Sequence, residues 1–109
     1  MRDWETLAQR EPFEAALDRL GWREIELEVM DAFVPRLLGF TVRSKCMRDG
    51  KALVLAFPCC RAVHTCFMRF PLDIAFIDGR GEVLELHKDV RPWRFLSCPD
   101  ASSVMERAS

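Results

Sequence analysis

No charge of one sign predominates in this sequence. Sixteen Lys and Arg side chains stand against 17 Asp and Glu in 109 residues, a formal net charge of −1. Generic nucleic-acid binders carry a basic excess or stripe, so the balance argues against nucleic acid as a partner. No apolar run approaches the ~20 residues that span a bilayer. The start, Met1-Arg2-Asp3-Trp4-Glu5, leads into charged sequence and not into the apolar segment of a signal peptide. These absences predict a cytoplasmic chain with no membrane span. The five cysteines, Cys46, Cys59, Cys60, Cys66 and Cys98, then read as reduced thiols, and their odd number argues against a closed disulfide framework. There is no Cys-x-x-Cys pair, no Gly-x-Ser-x-Gly elbow and no His-Glu-x-x-His element. Gly79-Arg80-Gly81 lies between two strand-like segments, not ahead of a helix, so it is no phosphate loop. Internal repeats and low-complexity tracts are absent too.

What is present suffices for a core. Half the residues are hydrophobic, and a chain of this length buries roughly 60–70% of the surface it exposes unfolded. A single domain over residues 1–109 is expected, with a helical N-terminal extension over 1–22 and a β-rich body over 24–106. Residues 3–20 look helical: Asp3 can cap a first turn and Pro12 suits the start of a second helix. Phe13, Ala16, Leu17 and Leu20 recur at helical spacing, and Gly21 is a C-terminal stop. Ile25, Leu27 and Val29 alternate with Glu24, Glu26 and Glu28, which predicts a strand with an acidic solvent face. Asp31 to Leu38 suggests a short helix, with Pro35 in its first turn and Gly39 at its end. A basic stretch, Arg36, Arg43, Lys45, Arg48 and Lys51, reads as a solvated face. Leu53–Phe57 is a further strand, stopped by Pro58.

The strongest local signal is a hairpin of Leu72–Ile77 and Val83–His87. A two-residue loop would mix charged and apolar groups on both faces. A three-residue loop, Gly79-Arg80-Gly81, pairs Asp78 with Glu82 and gathers Leu72, Ile74, Phe76, Leu84 and Leu86 on one apolar face. Gly81 supplies the left-handed third residue without steric cost. This register sets Asp73 opposite His87, on a face with Ala75, Ile77, Val83 and Glu85. Arg91-Pro92-Trp93-Arg94-Phe95 reads as extended around Pro92, and Ser102–Glu106 as a last strand. The fold class is α+β, mostly antiparallel β in a small sheet or partly closed barrel, with one or two N-terminal helices.

The run from Ala62 through His64-Thr65-Cys66-Phe67-Met68-Arg69-Phe70-Pro71-Leu72-Asp73 to Asp78, then Gly81-Glu82-Val83-Leu84 and Pro92-Trp93-Arg94, resembles the family called domain of unknown function 192. Leu37-Leu38-Gly39 and Val104-Met105-Glu106 resemble flanking elements of its pattern. The likeness runs from about Ile25 to Glu106. It implies a small, mostly β domain and no reaction. Family members are short bacterial and archaeal proteins, some secreted, and related actinobacterial copies sit near pilus-assembly loci.

Three functions compete on the residues. In the first, His64, Thr65, Met68, Arg69, Asp73, Trp93 and Arg94 form a pocket for a small ligand or a partner peptide, with the Arg94 guanidinium beside the Trp93 indole. In the second, Asp73 works as an acid/base group with His64 or His87. In the third, Cys59, Cys60, His64 and Cys66 bind copper or zinc. The plainer reading of Asp73 is a carboxylate accepting backbone N–H groups near Met68–Pro71; that of the thiols is buried packing. The first function is preferred, and it needs no cofactor.

Overall fold

The structure, a computed structural model, describes residues 3–29, 47–48, 51–66, 68 and 70–109. The expected helix from Asp31, most of the basic stretch, Cys46, Phe67 and Arg69 lie outside the described residues.

One helix, α1 (Asp3–Leu20), opens the chain, and Pro12 sits inside it. The two-segment expectation is corrected here. Proline removes one i to i−4 bond, yet its ring is tolerated when the following turns are anchored. They are anchored by Phe13, Ala16 and Leu17, all buried. The C-terminus is a Schellman turn: Gly21 N–H donates to Asp18 C=O at 3.2 Å and Trp22 N–H to Leu17 C=O at 3.1 Å, with Gly21 at φ +72°.

The strands are β1 (Ile25–Val29), β2 (Met47–Arg48), β3 (Lys51–Pro58), β4 (Ala62–His64), β5 (Leu72–Ile77), β6 (Val83–Val90), β7 (Phe95–Ser97) and β8 (Ser103–Ala108). The main sheet runs β1-β3-β8-β5-β6, with β2 also on β3. Among the described residues only β1 and β3 pair in parallel; the other pairs are antiparallel. The sheet is open, so the barrel alternative does not hold. Strands β4 and β7 form a separate two-stranded ribbon.

The sheet is covered on both faces. Against α1 lie Val54, Ala56, Ala75, Ile77 and Met105 with Phe13, Ala16, Leu17 and Trp22. The opposite face carries Leu53, Leu55, Phe57, Leu72, Ile74, Phe76 and Val104, covered by Met68, Cys98 and Ala101, with Val63 and Leu96 of the ribbon packed against them. Every residue of β5 is therefore buried, as a strand with strands on both sides and layers on both faces must be. Strand β1 sends Ile25, Leu27 and Val29 toward α1. Its Glu26 and Glu28 are half-buried and not in open solvent.

The hairpin turn follows the three-residue reading. Asp78 N–H donates to Glu82 C=O at 3.0 Å, and Gly81 has φ +83°. Asp78 Oδ1 also accepts the N–H groups of Arg80 and Glu82, at 2.8 and 2.9 Å. Beyond the turn the register departs from expectation. Ile77 faces Val83, but a bulge at Leu84 then sets Phe76 opposite Glu85 and Ile74 opposite His87. Glu85 and His87 thus join the Phe76 face, while Leu84 and Leu86 remain 39% and 38% exposed. A second irregularity, between Leu72 and Ile74, leaves Asp73 without a β6 partner in the ladder. The expected Asp73–His87 opposition is therefore corrected. Edge strands carry such bulges readily, because only one side is bound by a ladder.

Candidate functional site

The ribbon is held by Thr65, which is fully buried. Its hydroxyl donates to Arg91 C=O at 2.7 Å and accepts the Arg94 N–H at 2.9 Å. Its own N–H donates to Arg94 C=O at 2.9 Å, and its C=O accepts the N–H groups of Trp93 and Met68, at 3.1 and 3.2 Å. One side chain thus fixes the turn 91–94 against the end of β4. Trp93 takes φ +67° in that turn, so the segment bends after Pro92 instead of running extended. Valine at 65 would keep the shape and leave a buried N–H and C=O without the hydroxyl. We expect Thr65→Val to cost about 2–4 kcal/mol and Thr65→Ser much less, read as urea midpoints; equal midpoints for valine and wild type would remove the clamp.

With its interior fixed, the ribbon turns Ala62, His64, Phe95 and Ser97 outward and Val63 and Leu96 toward the core. His64 faces Phe95 in register, with ring centroids 5.9 Å apart at 49°. His64 Nδ1 accepts the Cys66 N–H at 3.3 Å, so Nε2 carries the proton of the neutral ring. Beside this pair is an open depression of about 370 Å³ lined by Ala62, Val63, His64, Phe95, Leu96 and Ser97. Phe95 is 77% exposed and Trp93 62%. Aromatic groups are commonly held at least half inside, so this is a localised apolar surface.

The residues expected to converge divide between the two sides of the sheet. His64, Thr65, Trp93 and Arg94 meet at the ribbon. Met68 is buried in the core beneath it. Asp73 faces the other way, toward α1, beside Arg107 of β8. Its Oδ2 accepts from Arg107 Nε at 3.1 Å; its Oδ1 accepts from Ser109 Oγ at 2.6 Å and from the Asp89 N–H at 3.0 Å. Arg107 in turn lies 4.3 Å over the Trp22 ring. Burial alone would raise the Asp73 pKa, but the bonds from Ser109, Asp89 and Arg107 outweigh it and hold the carboxyl below its usual value. Asp73 is an ionised anchor at neutral pH. It shares no hydrogen bond with His64 or His87. The backbone donor it captures is on Asp89 and not in the loop from Met68 to Pro71.

His87 pairs instead with Glu85, Nε2 to Oε1 2.8 Å, and its ring meets the Phe76 edge. Hydrogen bonds from His87 and then Cys98 lower the Glu85 pKa, while burial and Glu85 raise the Cys98 thiol. A raised thiol is a poor nucleophile. Cys59 is exposed, Cys60 is half-buried with Sγ 3.1 Å from Ala62 C=O, and Cys66 is buried. Among the described residues no group of three or more His, Cys, Asp or Glu is arranged to hold a metal ion.

Two features escape sequence reasoning. Phe95 and its neighbours on β7 form half the depression, yet Phe95-Leu96-Ser97 carries no motif; only its nearness to Trp93 and Arg94 pointed there. Glu106 is the other. It is 6% exposed, between Leu55 and Ile74 on the ribbon side of the sheet. Burial pushes its pKa up to about 8. The Val-Met-Glu element marked the position without indicating that the carboxyl is inside.

No curated protein matches the chain. A protein of unknown function from Novosphingobium aromaticivorans DSM 12444 shares the fold, with a TM-score of 0.63 and 17% identity; the match covers 78% of this chain and 64% of that one. The chain thus spans less than two thirds of that neighbour. A protein from Sinorhizobium meliloti 1021, provisionally assigned as a transcription regulator, matches with a TM-score of 0.61 and 20% identity over 78% of this chain and 67% of its own. At these identities the likeness is one of fold. The family model DUF192, "Uncharacterized ACR", matches residues 16–108. That match takes in the sheet, the ribbon and the last five residues of α1, and the chain belongs to the DUF192 family.

Proposed function

We propose that this protein is a non-catalytic binding module, acting in the cytoplasm, whose recognition surface is the outer face of the β4–β7 ribbon. One observation carries the reading: an exposed Phe95 tilted against His64 beside an open depression, on a ribbon whose interior Thr65 locks in place. A locked frame with solvent-facing aromatic groups suits binding, because little order is lost when a partner arrives. A depression of this size falls within the range that takes a small ligand or one peptide side chain. Acid/base chemistry has less support, since Asp73 is committed to Arg107, Ser109 and Asp89 on the far side of the sheet.

The test is amide and methyl chemical-shift mapping of the whole chain against small-molecule and peptide libraries. Perturbations should centre on residues 62–65 and 93–97. Phe95→Ala should keep the fold, because the ring is in solvent, and weaken the selected ligand at least tenfold. Ligands that shift only residues around Asp73 would overturn the reading.

A further inference from the structure

Charge is segregated around the ribbon. Residues 58–72 and 90–99 contain Arg61, Arg69, Arg91 and Arg94 and not one Asp or Glu, leaving 12 basic against 17 acidic side chains elsewhere. Arg61, Arg91 and Arg94 are exposed. Among the described residues no carboxylate stands within ion-pair distance of any of the three, whereas Arg10, Arg19 and Arg107 are each paired. Their positions follow from the ladder. Arg61 C=O accepts the Cys98 N–H at one end of the ribbon, and Arg94 meets Thr65 at the other. Between them come the Ala62–Ser97, Val63–Leu96 and His64–Phe95 pairs, which line the depression. Four residue steps along a strand separate the two arginines by roughly 13 Å.

Resting on the binding-module reading above, we propose that the ribbon recognises an extended acidic peptide segment of a partner protein. Its pattern is acidic-x-apolar-x-acidic: the apolar side chain enters the depression against His64 and Phe95, and the flanking carboxylates meet Arg61 and Arg94. The spacing is that of an extended chain, with the carboxylates four positions apart and three residues between them. Arg forks fit carboxylates with two parallel hydrogen bonds. A long polyanion such as single-stranded nucleic acid fits less well, because beyond the ribbon the molecule is acidic and would repel it.

An array of immobilised pentapeptides provides the test. One set has Asp or Glu at both ends and each apolar side chain at the centre; a matched set has Asn or Gln at the ends. The full-length protein should bind the acidic set at least tenfold more tightly in 50 mM salt and lose most of that margin in 0.5 M salt. Arg61→Gln with Arg94→Gln should abolish the margin, while Arg23→Gln, exposed but off the ribbon, should leave it. Equal binding of both sets through Phe95 would overturn the acidic specificity and leave the binding module standing. No binding by either set would overturn the peptide proposal. Tighter binding of a 20-nucleotide oligothymidylate, competed at the same ribbon, would overturn it in favour of nucleic acid.

Discussion

Wild-type protein should lose stability between about pH 5 and pH 8, and Glu106→Gln should not. The unfolded Glu106 carboxyl titrates near the ordinary value of 4.5, whereas in the fold burial raises it to about 8. Below the first value both states are protonated and the shift has no effect. Between the two, the unfolded chain has released this proton and the folded chain still holds it, so stability falls as pH rises, at up to about 1.4 kcal/mol per pH unit. Above the second value the folded carboxyl is ionised and the loss is complete. The full window is worth a few kcal/mol, a large share of the 5–15 kcal/mol typical of a domain. Urea unfolding at pH 5, 6, 7 and 8 measures it. The informative quantity is the difference between wild type and Glu106→Gln, in which every contribution the two share cancels. That difference should grow steadily with pH in favour of the glutamine variant. Parallel curves would show that Glu106 is solvated in the native state.

Gly81→Ala should destabilise the protein by about 2–4 kcal/mol, from backbone strain plus overpacking. Gly81 has φ +83°, and a Cβ there would collide with Pro12 C=O and lie 2.8 Å from Ala15 Cβ. The oxygen belongs to the backbone of α1, so no rotamer change relieves the contact and the helix must lift from the turn. The dock it would disturb includes Arg19, whose Nη1 donates to Gly81 C=O at 2.9 Å and whose Nη2 pairs with Glu82 at 3.1 Å. Gly21 supplies the control: φ is +72°, but nothing lies within 4 Å of an added Cβ. Gly21→Ala carries the left-handed cost alone, about 1 kcal/mol. Thermal or urea midpoints of the two variants therefore separate strain from collision. If both alanines cost the same, α1 does not rest on the turn.

The turn at Gly81 was legible because its demand is local: one residue must be left-handed and glycine was there. The helix from Phe13 to Leu20 was legible for a similar reason, since its buried side is written at helical spacing. Leu84 and Leu86 misled. Aligning them with Phe76 makes the tidiest apolar face, but β6 is an edge strand and the core does not need them. The bulge instead spends that face on Glu85 and His87, and nothing within the strand announces it. Strand β8 shows the converse. Val104, Met105 and Glu106 are all buried, because β8 is central, and centrality is a property of topology that a run of six residues does not record. For the same reason Asp73 looked like chemistry: its side-chain partners, Arg107 and Ser109, are more than 30 residues away. At the candidate site, His64, Trp93 and Arg94 are singled out by their residue types, whereas Phe95 and Arg61 acquire meaning only once β4 and β7 are paired.

The central place of β8 bears on how the molecule is made. Residues 103–108 lie between β3 and β5, and a ribosome delivers both of those strands first. Until the later segment emerges, each presents an open apolar edge with no native neighbour on that side. The main sheet therefore cannot close progressively behind the growing chain; β1 with β3 and β5 with β6 can pair early, but the two halves join only through residues 103–108.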